Sequence, residues 1–286
     1  MVVAAAGYGV AALLAERARE HRFFAAAPKV LVIAHRGGSY LRPENTLEAF
    51  SNAVAIGADV LEMDVRSTAD GTLVVLHDAT ADRTTDRSGP VDAMKLDQLQ
   101  QLDAGFRWSP DGGKTFPFRG AGVRVPTLAE VFSRFPSMRM NIEIKNPPGI
   151  AIARPLCGLI RSHRLTERVL VASMSDEAIA AFRGACPEIA TSLAASEART
   201  FVYASYAWLS SACTPRGAAL QIPDRLRDRS IATPGLVDAA HGRNLKIHAW
   251  TVNDEARMRE LAAIGIDGII TDRPDVLARI LGRGRL

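Results

Sequence analysis

Short runs of β-branched and apolar residues alternate with longer amphipathic stretches from residue 30 to the end of the chain. Eight of these runs have the length and composition of buried strands, namely Val30–His35, Asp59–Arg66, Arg139–Lys145, Val169–Ser173, Ile189–Leu193, Ala219–Ile222, Leu245–Val252 and Gly268–Thr271. Apolar residues recur at helical spacing between them, in Glu44–Ile56, Ala151–His163, Asp176–Ala185, Pro234–His241 and Asp254–Ile264. Strands that alternate with helices in this way predict a closed parallel (β/α)₈ barrel, or TIM barrel. A doubly wound open sheet is the alternative, although no glycine-rich phosphate loop follows the first strand to favour it.

A ninth strand candidate, Thr72–Leu76, interrupts the alternation directly after the second strand. Asp70 and Gly71 separate the two runs, and Asp-Gly between two β runs predicts a hairpin whose second strand is antiparallel to the first. A regular two-residue turn at this point would place His77 directly opposite Asp64. The hairpin therefore predicts that a histidine and a carboxylate share one patch of the barrel mouth.

Residues 79–126 form the longest departure from the barrel pattern. They are rich in Asp, Gly, Pro and Arg and contain only one short helical pattern, Met94–Leu102. Because insertions of this length on a compact barrel are usually functional, we expect a cap over the active site. The predicted organisation is an N-terminal segment, 1–29, followed by one barrel domain, 30–286, which carries this insertion after the hairpin.

The N-terminal segment begins with an uncharged apolar run, Val2–Ala15, and an arginine-rich stretch follows it. The run is shorter than the roughly 20 residues that span a bilayer, and it lacks the basic residues that begin a signal peptide. Three interpretations remain open: a packed amphipathic helix, the end of a membrane anchor, or a weak signal peptide. The arginines favour a cytoplasmic domain under the positive-inside rule, and the apolar run could give that domain peripheral membrane contact.

Charge and cysteine content narrow the range of partners and environments. The formal net charge is +4 and the pI is about 9.2, but Lys and Arg are scattered without a long cationic run. This pattern does not indicate nucleic-acid binding, and it suits a small anionic substrate. The three cysteines, Cys157, Cys186 and Cys213, show no CxxC or Cys/His zinc spacing. We therefore expect ordinary thiols in a reducing compartment.

Titratable residues cluster at the C-terminal ends of the predicted strands, where the catalytic groups of a TIM barrel lie. These residues are His35 and Arg36 after the first strand, Glu62 and Asp64 on the second, His77 after the hairpin, and Glu143 and Lys145 on the third barrel strand. Three carboxylates at one barrel end repel one another unless a divalent cation binds them, and oxygen-only ligands indicate Mg²⁺ or Ca²⁺. The guanidinium and ammonium groups would bind phosphate. The two histidines would divide the proton transfers of a hydrolysis.

Eight segments of the chain, in a characteristic order, contain all of these residues. They are His35-Arg36-Gly37, Pro43-Glu44-Asn45-Thr46, Glu62-Met63-Asp64-Val65, Leu76-His77-Asp78, Pro126-Thr127-Leu128-Ala129-Glu130, Asn141-Ile142-Glu143-Ile144-Lys145, Trp250-Thr251-Val252-Asn253 and Gly268-Ile269-Ile270-Thr271-Asp272-Arg273-Pro274. Together they resemble the glycerophosphodiester phosphodiesterase family, and the resemblance covers the chain from Val30 onward. It implies a barrel enzyme that hydrolyses small glycerophosphodiesters to glycerol 3-phosphate and an alcohol with one divalent cation.

The resemblance also implies a role for each matching residue. The implied sets are the general acid and base, His35 and His77; the metal ligands, Glu62, Asp64 and Glu143; and the phosphate contacts, Arg36 and Lys145. Trp250 is similar to a substrate-pocket residue of the family. Gln221, near the end of the sixth strand, is a further candidate for that pocket.

Two alternatives to this function remain open. One is a lysophospholipase D, which acts on glycerophospholipids that keep one acyl chain. The apolar N-terminus supports it, as do four aromatic residues of the insertion that could line a lipid groove, Phe106, Trp108, Phe116 and Phe118. The other is a catalytically silent binding or scaffold barrel. That hypothesis predicts the loss of at least one histidine or metal carboxylate, and the sequence retains all of them.

Overall fold

The structure, a computed structural model, describes residues 2–145 and 149–283. Its strands are β1 (Leu31–Ala34), β2 (Val60–Ser67), β3 (Leu73–Val75), β4 (Arg139–Ile144), β5 (Val169–Ala172), β6 (Ala190–Thr191), β7 (Ala219–Pro223), β8 (Arg225–Leu226), β9 (Arg229–Ser230), β10 (Lys246–Trp250) and β11 (Gly268–Thr271). Its helices are α1 (Val2–Leu14), α2 (Leu47–Ile56), α3 (Leu96–Leu99), α4 (Leu128–Arg134), α5 (Gly149–Ser162), α6 (Asp176–Ala185), α7 (Ala195–Tyr206), α8 (Pro234–Gly242), α9 (Glu255–Ala263) and α10 (Pro274–Ile280). The last three residues of the predicted barrel domain, 284–286, lie outside the described residues.

Eight parallel strands form the wall of a nearly closed barrel. Their hydrogen-bonded order is β6-β5-β4-β2-β1-β11-β10-β7, and a parallel bridge between Ser192 and Ala219 joins the two ends of this series. The register pairs Asp64 of β2 with Glu143 of β4. Each predicted apolar run overlaps one of these strands, so the predicted TIM barrel is confirmed.

Polar caps determine where several of the barrel helices begin. The Thr46 hydroxyl accepts a hydrogen bond from the Ala49 amide at 3.2 Å at the start of α2. Thr127 and Glu130 form a reciprocal capping box at the start of α4, and the Asp254 side chain caps α9. These contacts satisfy amide groups that have no partner within the first helical turn. They therefore fix strand-to-helix connections at the end of the barrel where the site lies.

The interior of the barrel is apolar at the N-terminal ends of the strands. Phe23, from a short turn before β1, packs in a buried cluster with Leu31 and Val60, the first residues of β1 and β2. The Phe23 carbonyl also accepts a hydrogen bond from Arg139 Nε at 2.8 Å, at the start of β4. Because apolar side chains fill this end, the polar side chains of the strands converge at the opposite, C-terminal end.

The hairpin of β2 and β3 has a longer turn than predicted. The Asp64 carbonyl accepts a hydrogen bond from the Leu76 amide at 3.0 Å, so the predicted pairing of Asp64 with His77 is wrong by one residue. The Thr68 amide already bonds to the Thr72 carbonyl across the turn, which leaves three residues between them instead of two. His77, two residues after the end of β3, nevertheless lines the cavity at the barrel mouth.

Residues 79–126 follow the hairpin and bury their apolar side chains in a cluster with β3. Their aromatic side chains contact one another and a nearby arginine. The rings of Trp108 and Phe118 have centroids 5.3 Å apart, and the Arg119 guanidinium lies over the rings of Phe106 and Phe116. These contacts occupy the aromatic residues that the sequence suggested as a lipid groove.

Hydrogen bonds connect the middle of helix α1 and the residue that follows it to the barrel. The Tyr8 hydroxyl donates to the Trp208 carbonyl at 2.9 Å, and Arg243 donates to the Ala15 carbonyl at 2.8 Å. The outward-facing Leu13 is 87% exposed. Among the described residues, no helix is long and apolar enough to cross a membrane.

Two of the three cysteines form a disulfide, which corrects the prediction of ordinary thiols. Cys157 of α5 and Cys186 after α6 are 29 residues apart in sequence, and their Cα atoms are 5.9 Å apart. The helices α5 and α6 pack side by side, and this packing joins two residues that sequence spacing does not connect. Cys213 is free and half-buried. The cysteines therefore give no argument for a reducing compartment.

Candidate active site

The C-terminal ends of the barrel strands surround a cavity of about 870 Å³. Eight of the nine predicted site residues line it, namely His35, Arg36, Glu62, His77, Glu143, Lys145, Gln221 and Trp250. The ninth, Asp64, is 1% exposed, and its Oδ1 lies 3.0 Å from Lys145 Nζ. The structure therefore brings all nine predicted residues together at one end of the barrel.

Glu62, Asp64 and Glu143 form the acidic cluster of this cavity. Glu62 and Asp64 are two residues apart on β2, so both side chains point to the same face of the strand, and the register places Glu143 beside Asp64. One oxygen from each carboxylate lies within 4.8 Å of the other two. Asn141, the register partner of Glu62, adds a buried side-chain oxygen that has no hydrogen-bond partner in the described part of the chain.

Cationic side chains compensate only part of the charge of the acidic cluster. Lys145 Nζ lies 3.0 Å from Asp64 and 2.8 Å from Glu143, and Arg36 Nε lies 3.3 Å from Asp64. Burial opposes ionisation of Asp64, but Lys145 and Arg36 outweigh it and hold the pKa of Asp64 below its usual value. Burial and the neighbouring Asp64 raise the pKa of Glu62 to about 8. The cluster therefore has room for additional positive charge, which a divalent cation would supply.

The tight turn after β1 places Arg36 beside the acidic cluster. The Arg36 amide donates a hydrogen bond to Glu62 Oε2 at 2.8 Å, and its guanidinium donates to Glu44 at 2.9 Å. The next residue, Gly37, has a φ of 84°, and a Cβ atom there would lie 2.7 Å from the Ala49 Cβ. Only glycine fits this turn without a clash, which explains the Arg-Gly sequence after the first strand.

His35 is oriented by a buried aspartate that follows the last strand. Its Nδ1 lies 2.7 Å from Asp272 Oδ1, and Ser39 and Asn253 donate hydrogen bonds to the same carboxylate. Burial lowers the pKa of His35, but Asp272 and Glu62 outweigh burial, and the net effect is a raised pKa. Because Nδ1 is engaged, Nε2 is the ring nitrogen that His35 offers to the cavity.

His77 is oriented by a second carboxylate in a chain of charge pairs. Its Nδ1 lies 2.7 Å from Asp78 Oδ1, and Asp78 accepts a hydrogen bond from Arg83 Nε at 2.6 Å. Arg83 donates two hydrogen bonds of 2.7 Å to Glu44, and Glu44 also accepts one from Arg36 at 2.9 Å. These charge pairs connect His77 to the guanidinium group of Arg36. Because Nδ1 of His77 is engaged, Nε2 is the ring nitrogen that faces the cavity.

Sequence reasoning gave no role to several residues that support the site, namely Asn45, Asp78, Arg83, Asn141, Asn253 and Asp272. Most of them lie within the motifs that carry the family resemblance, and Asp78 directly follows His77. A carboxylate directly after a candidate catalytic histidine could have indicated that Asp78 orients the His77 ring. Arg83 gave no such signal, because its surroundings in the sequence resemble an ordinary loop with surface ion pairs.

Gln221 of β7 and Trp250 of β10 form one wall of the cavity. Gln221 Nε2 lies 3.2 Å from Nδ1 of His248, which is 1% exposed. Burial lowers the pKa of His248 to about 4, and its ring contacts Phe24 with centroids 5.9 Å apart. His248 is therefore a neutral residue of the barrel interior that anchors the Gln221 amide.

Comparison with known proteins agrees with this architecture. A model of the Glycerophosphoryl diester phosphodiesterase family matches residues 35–276. A relative from Caldanaerobacter subterraneus subsp. tengcongensis, named glycerophosphodiester phosphodiesterase, is 34% identical, and the alignment covers 90% of this chain and 99% of the relative. A Mycobacterium tuberculosis relative, named probable glycerophosphodiester phosphodiesterase 2, is 32% identical, with coverages of 88% and 90%.

Solved structures give the same result. A glycerophosphodiester phosphodiesterase from Agrobacterium tumefaciens has a TM-score of 0.70 and 28% identity, over 87% of this chain and 99% of that one. An Oleispira antarctica phosphodiesterase, in complex with the product sn-glycerol-3-phosphate, has a TM-score of 0.72 and 26% identity, over 91% and 99%. The fold and site thus define a phosphoric diester hydrolase on a TIM barrel. The chain belongs to the glycerophosphoryl diester phosphodiesterase family.

Proposed function

We propose that this enzyme hydrolyses glycerophosphodiesters to glycerol 3-phosphate and an alcohol, with one divalent cation and with His35 and His77 as the proton-transfer groups. One observation carries the proposal: two histidines, each bound through Nδ1 to an aspartate, line the cavity that contains the acidic cluster. The Oleispira relative, whose structure contains sn-glycerol-3-phosphate as product, supports the substrate class. All nine residues of the proposed site are present, which opposes a catalytically silent barrel.

The acidic cluster fits a hard divalent cation. Glu62, Asp64 and Glu143 offer only oxygen atoms, all within 4.8 Å of one another, and Mg²⁺ and Ca²⁺ prefer oxygen ligands. The pKa of Glu62 is raised to about 8 because the carboxylate is buried beside Asp64, and a nearby positive charge would stabilise its ionised form. A bound cation would supply electrostatic stabilisation of the charge on the phosphoryl oxygens.

The chain's own residues would bind the substrate and move protons. Arg36 and Lys145, on the wall of the cavity, would bind the phosphate oxygens and direct one ester bond toward the histidines. One neutral imidazole would accept a proton at Nε2 from the attacking water. The other, in its protonated form, would donate a proton from Nε2 to the leaving alkoxide. Asp272 and Asp78 hold Nδ1 of the two rings, so proton transfer is confined to Nε2.

Chelation provides a direct test of this function. We expect the purified enzyme to release glycerol 3-phosphate from glycerophosphocholine, and EDTA to lower the rate by at least about a hundredfold, because a bound cation supplies several kcal/mol of charge stabilisation. Mg²⁺ or Ca²⁺ added after chelation should restore the rate in a coupled assay for glycerol 3-phosphate. A rate that EDTA leaves unchanged would refute the proposed metal site.

The Asp272→Asn substitution tests the orientation of His35. Because Asp272 raises the pKa of His35, we expect the substitution to move the corresponding limb of the pH–rate profile to lower pH. It should also lower kcat by about a hundredfold, the low end of what a general acid or base contributes. Asp275→Asn, which removes a half-exposed aspartate paired with Arg273, is the matched control. A wild-type pH profile for Asp272→Asn would rule out this positioning role.

A further inference from the structure

The cavity that contains the acidic cluster extends between two segments that present apolar side chains to it. One wall is helix α7, which follows β6, and the other is the β8–β9 hairpin, which follows β7. Both segments leave the C-terminal ends of barrel strands. In a TIM barrel this is the catalytic face, so the walls belong to the same face as the histidines.

One complete face of α7 lines this cavity. The lining residues of the helix recur at helical spacing and are Ala195, Ala198, Arg199, Val202, Tyr203 and Tyr206. Such spacing places them on one side of the helix, and all except the arginine are apolar or aromatic. Phe201 is buried in the main core of the barrel, so packing on another side holds the helix in place. Ala198 and Val202 pack partly against the same core, and the more exposed Tyr203 and Tyr206 form the part of this face that is available to a ligand.

The hairpin and the residue that follows it contribute Leu226 and Ile231 to the second wall, beside the polar Arg229 and Ser230. We call the space between Ala198, Val202, Tyr203 and Tyr206 on α7 and the pair Leu226 and Ile231 the apolar groove. Tyr203, Tyr206 and Leu226 are 65%, 50% and 64% exposed. Large apolar side chains that are exposed and share one cavity with polar groups are typical of a site for an amphiphilic ligand.

The volume of the cavity and its polar and apolar lining indicate the kind of ligand that it binds. Its volume of about 870 Å³ is toward the upper end of the roughly 300–1,000 Å³ typical of small-molecule sites. A deacylated diester such as glycerophosphocholine is polar along its whole length and gains nothing from apolar walls. A diester that keeps one hydrocarbon chain has a polar part and an apolar part, which match the two ends of the cavity.

We infer that the apolar groove binds the hydrocarbon chain of a monoacyl glycerophosphodiester while its phosphodiester lies between the histidines and the acidic cluster. This inference rests on the proposed function of the polar end. In the reaction, the oxygen of water bonds to phosphorus and the P–O bond to the head-group alcohol breaks. The departing alkoxide takes up the proton that water loses. The products are a monoacylglycerol phosphate and the free alcohol, and the acyl ester is unchanged.

Binding of hexyl-, octyl- and decylphosphocholine tests the groove without turnover. Each would be titrated below its micelle-forming concentration into the Mg²⁺-loaded enzyme by calorimetry. Burial of a methylene contributes about 0.8 kcal/mol when complete, so we expect Kd to fall about twofold to fourfold per methylene in a partly open groove. The double variant Tyr203→Ser, Leu226→Ser should flatten this dependence. The matched control Leu13→Ser, Trp208→Ser removes two exposed apolar side chains outside the cavity and should keep it.

Turnover distinguishes a failure of the groove from a failure of the proposed function. The ratio of kcat/KM for a short-chain lysophosphatidylcholine to that for glycerophosphocholine should fall about tenfold in the groove variant and stay at the wild-type value in the control. A Kd that does not depend on chain length, or an equal loss in both variants, would overturn the inference. Chain-dependent binding without turnover of any glycerophosphodiester would support the groove and refute the proposed function.

Discussion

Replacement of Glu62 by Gln is expected to lower kcat/KM for glycerophosphocholine by about a thousandfold or more. Gln keeps the shape of the side chain and can still accept the 2.8 Å hydrogen bond from the Arg36 amide. It removes the negative charge that attracts a divalent cation to the acidic cluster. A thousandfold loss corresponds to about 4 kcal/mol of transition-state stabilisation. Steady-state kinetics over a range of Mg²⁺ concentrations would measure both the loss and the weaker activation by the cation.

The same substitution should leave the fold intact, and a stability measurement can show this. The pKa of Glu62 is raised from 4.5 to about 8. Between these two pH values, the folded metal-free protein keeps a proton on Glu62 that the unfolded chain releases. The stability of the metal-free wild type should therefore decline as pH rises through this range, and Glu62→Gln should lose that decline. Thermal unfolding in EDTA tests it, with the exposed Glu20→Gln as control. Full activity of Glu62→Gln would contradict a metal-binding role for this carboxylate.

The barrel strands could be predicted because each is a short apolar run whose signal is local. The prediction of Gly268–Thr271 has the same bounds as β11. The hairpin turn could not be predicted from Asp-Gly alone. The Thr68 hydroxyl donates to Asp70 and accepts from the Thr72 amide at 3.0 Å. Such side-chain hydrogen bonds compete with the regular two-residue turn and favour a longer one.

The proximity of the central residues of the candidate site could be predicted because its signal is also local. Glu62 and Asp64 lie two apart on one strand, and a period of two places both on one face. Their supporting contacts join residues far apart in sequence. Asp272 is 237 residues from His35, and neither spacing nor composition connects such a pair. The role of the apolar face of α7 could not be predicted either, because helical spacing indicates an apolar face but not the cavity that it lines.

The His35→Ala and His77→Ala substitutions are each expected to lower kcat for glycerophosphocholine by on the order of a hundredfold to ten-thousandfold. Neither should leave an unpaired buried carboxylate, because Asp272 keeps hydrogen bonds from Ser39 and Asn253. Asp78 likewise keeps its bond from Arg83. The loss should therefore appear in kcat with little change in thermal stability, as measured by initial rates and by unfolding.

A change of leaving group would assign the two proton transfers. The p-nitrophenyl ester of glycerol phosphate releases a weakly basic phenolate that needs no proton, so removal of the general acid should cost little with this substrate. Removal of the general base should cost as much as it does with glycerophosphocholine. His241→Ala is the matched control, because His241 also contacts an aspartate, Asp267, at 2.8 Å but lies outside the lining of the cavity. If both variants keep wild-type rates with glycerophosphocholine, the histidines transfer no protons. If both lose activity equally with the activated ester, neither acts as the acid, and the leaving alkoxide must take its proton from water or another group.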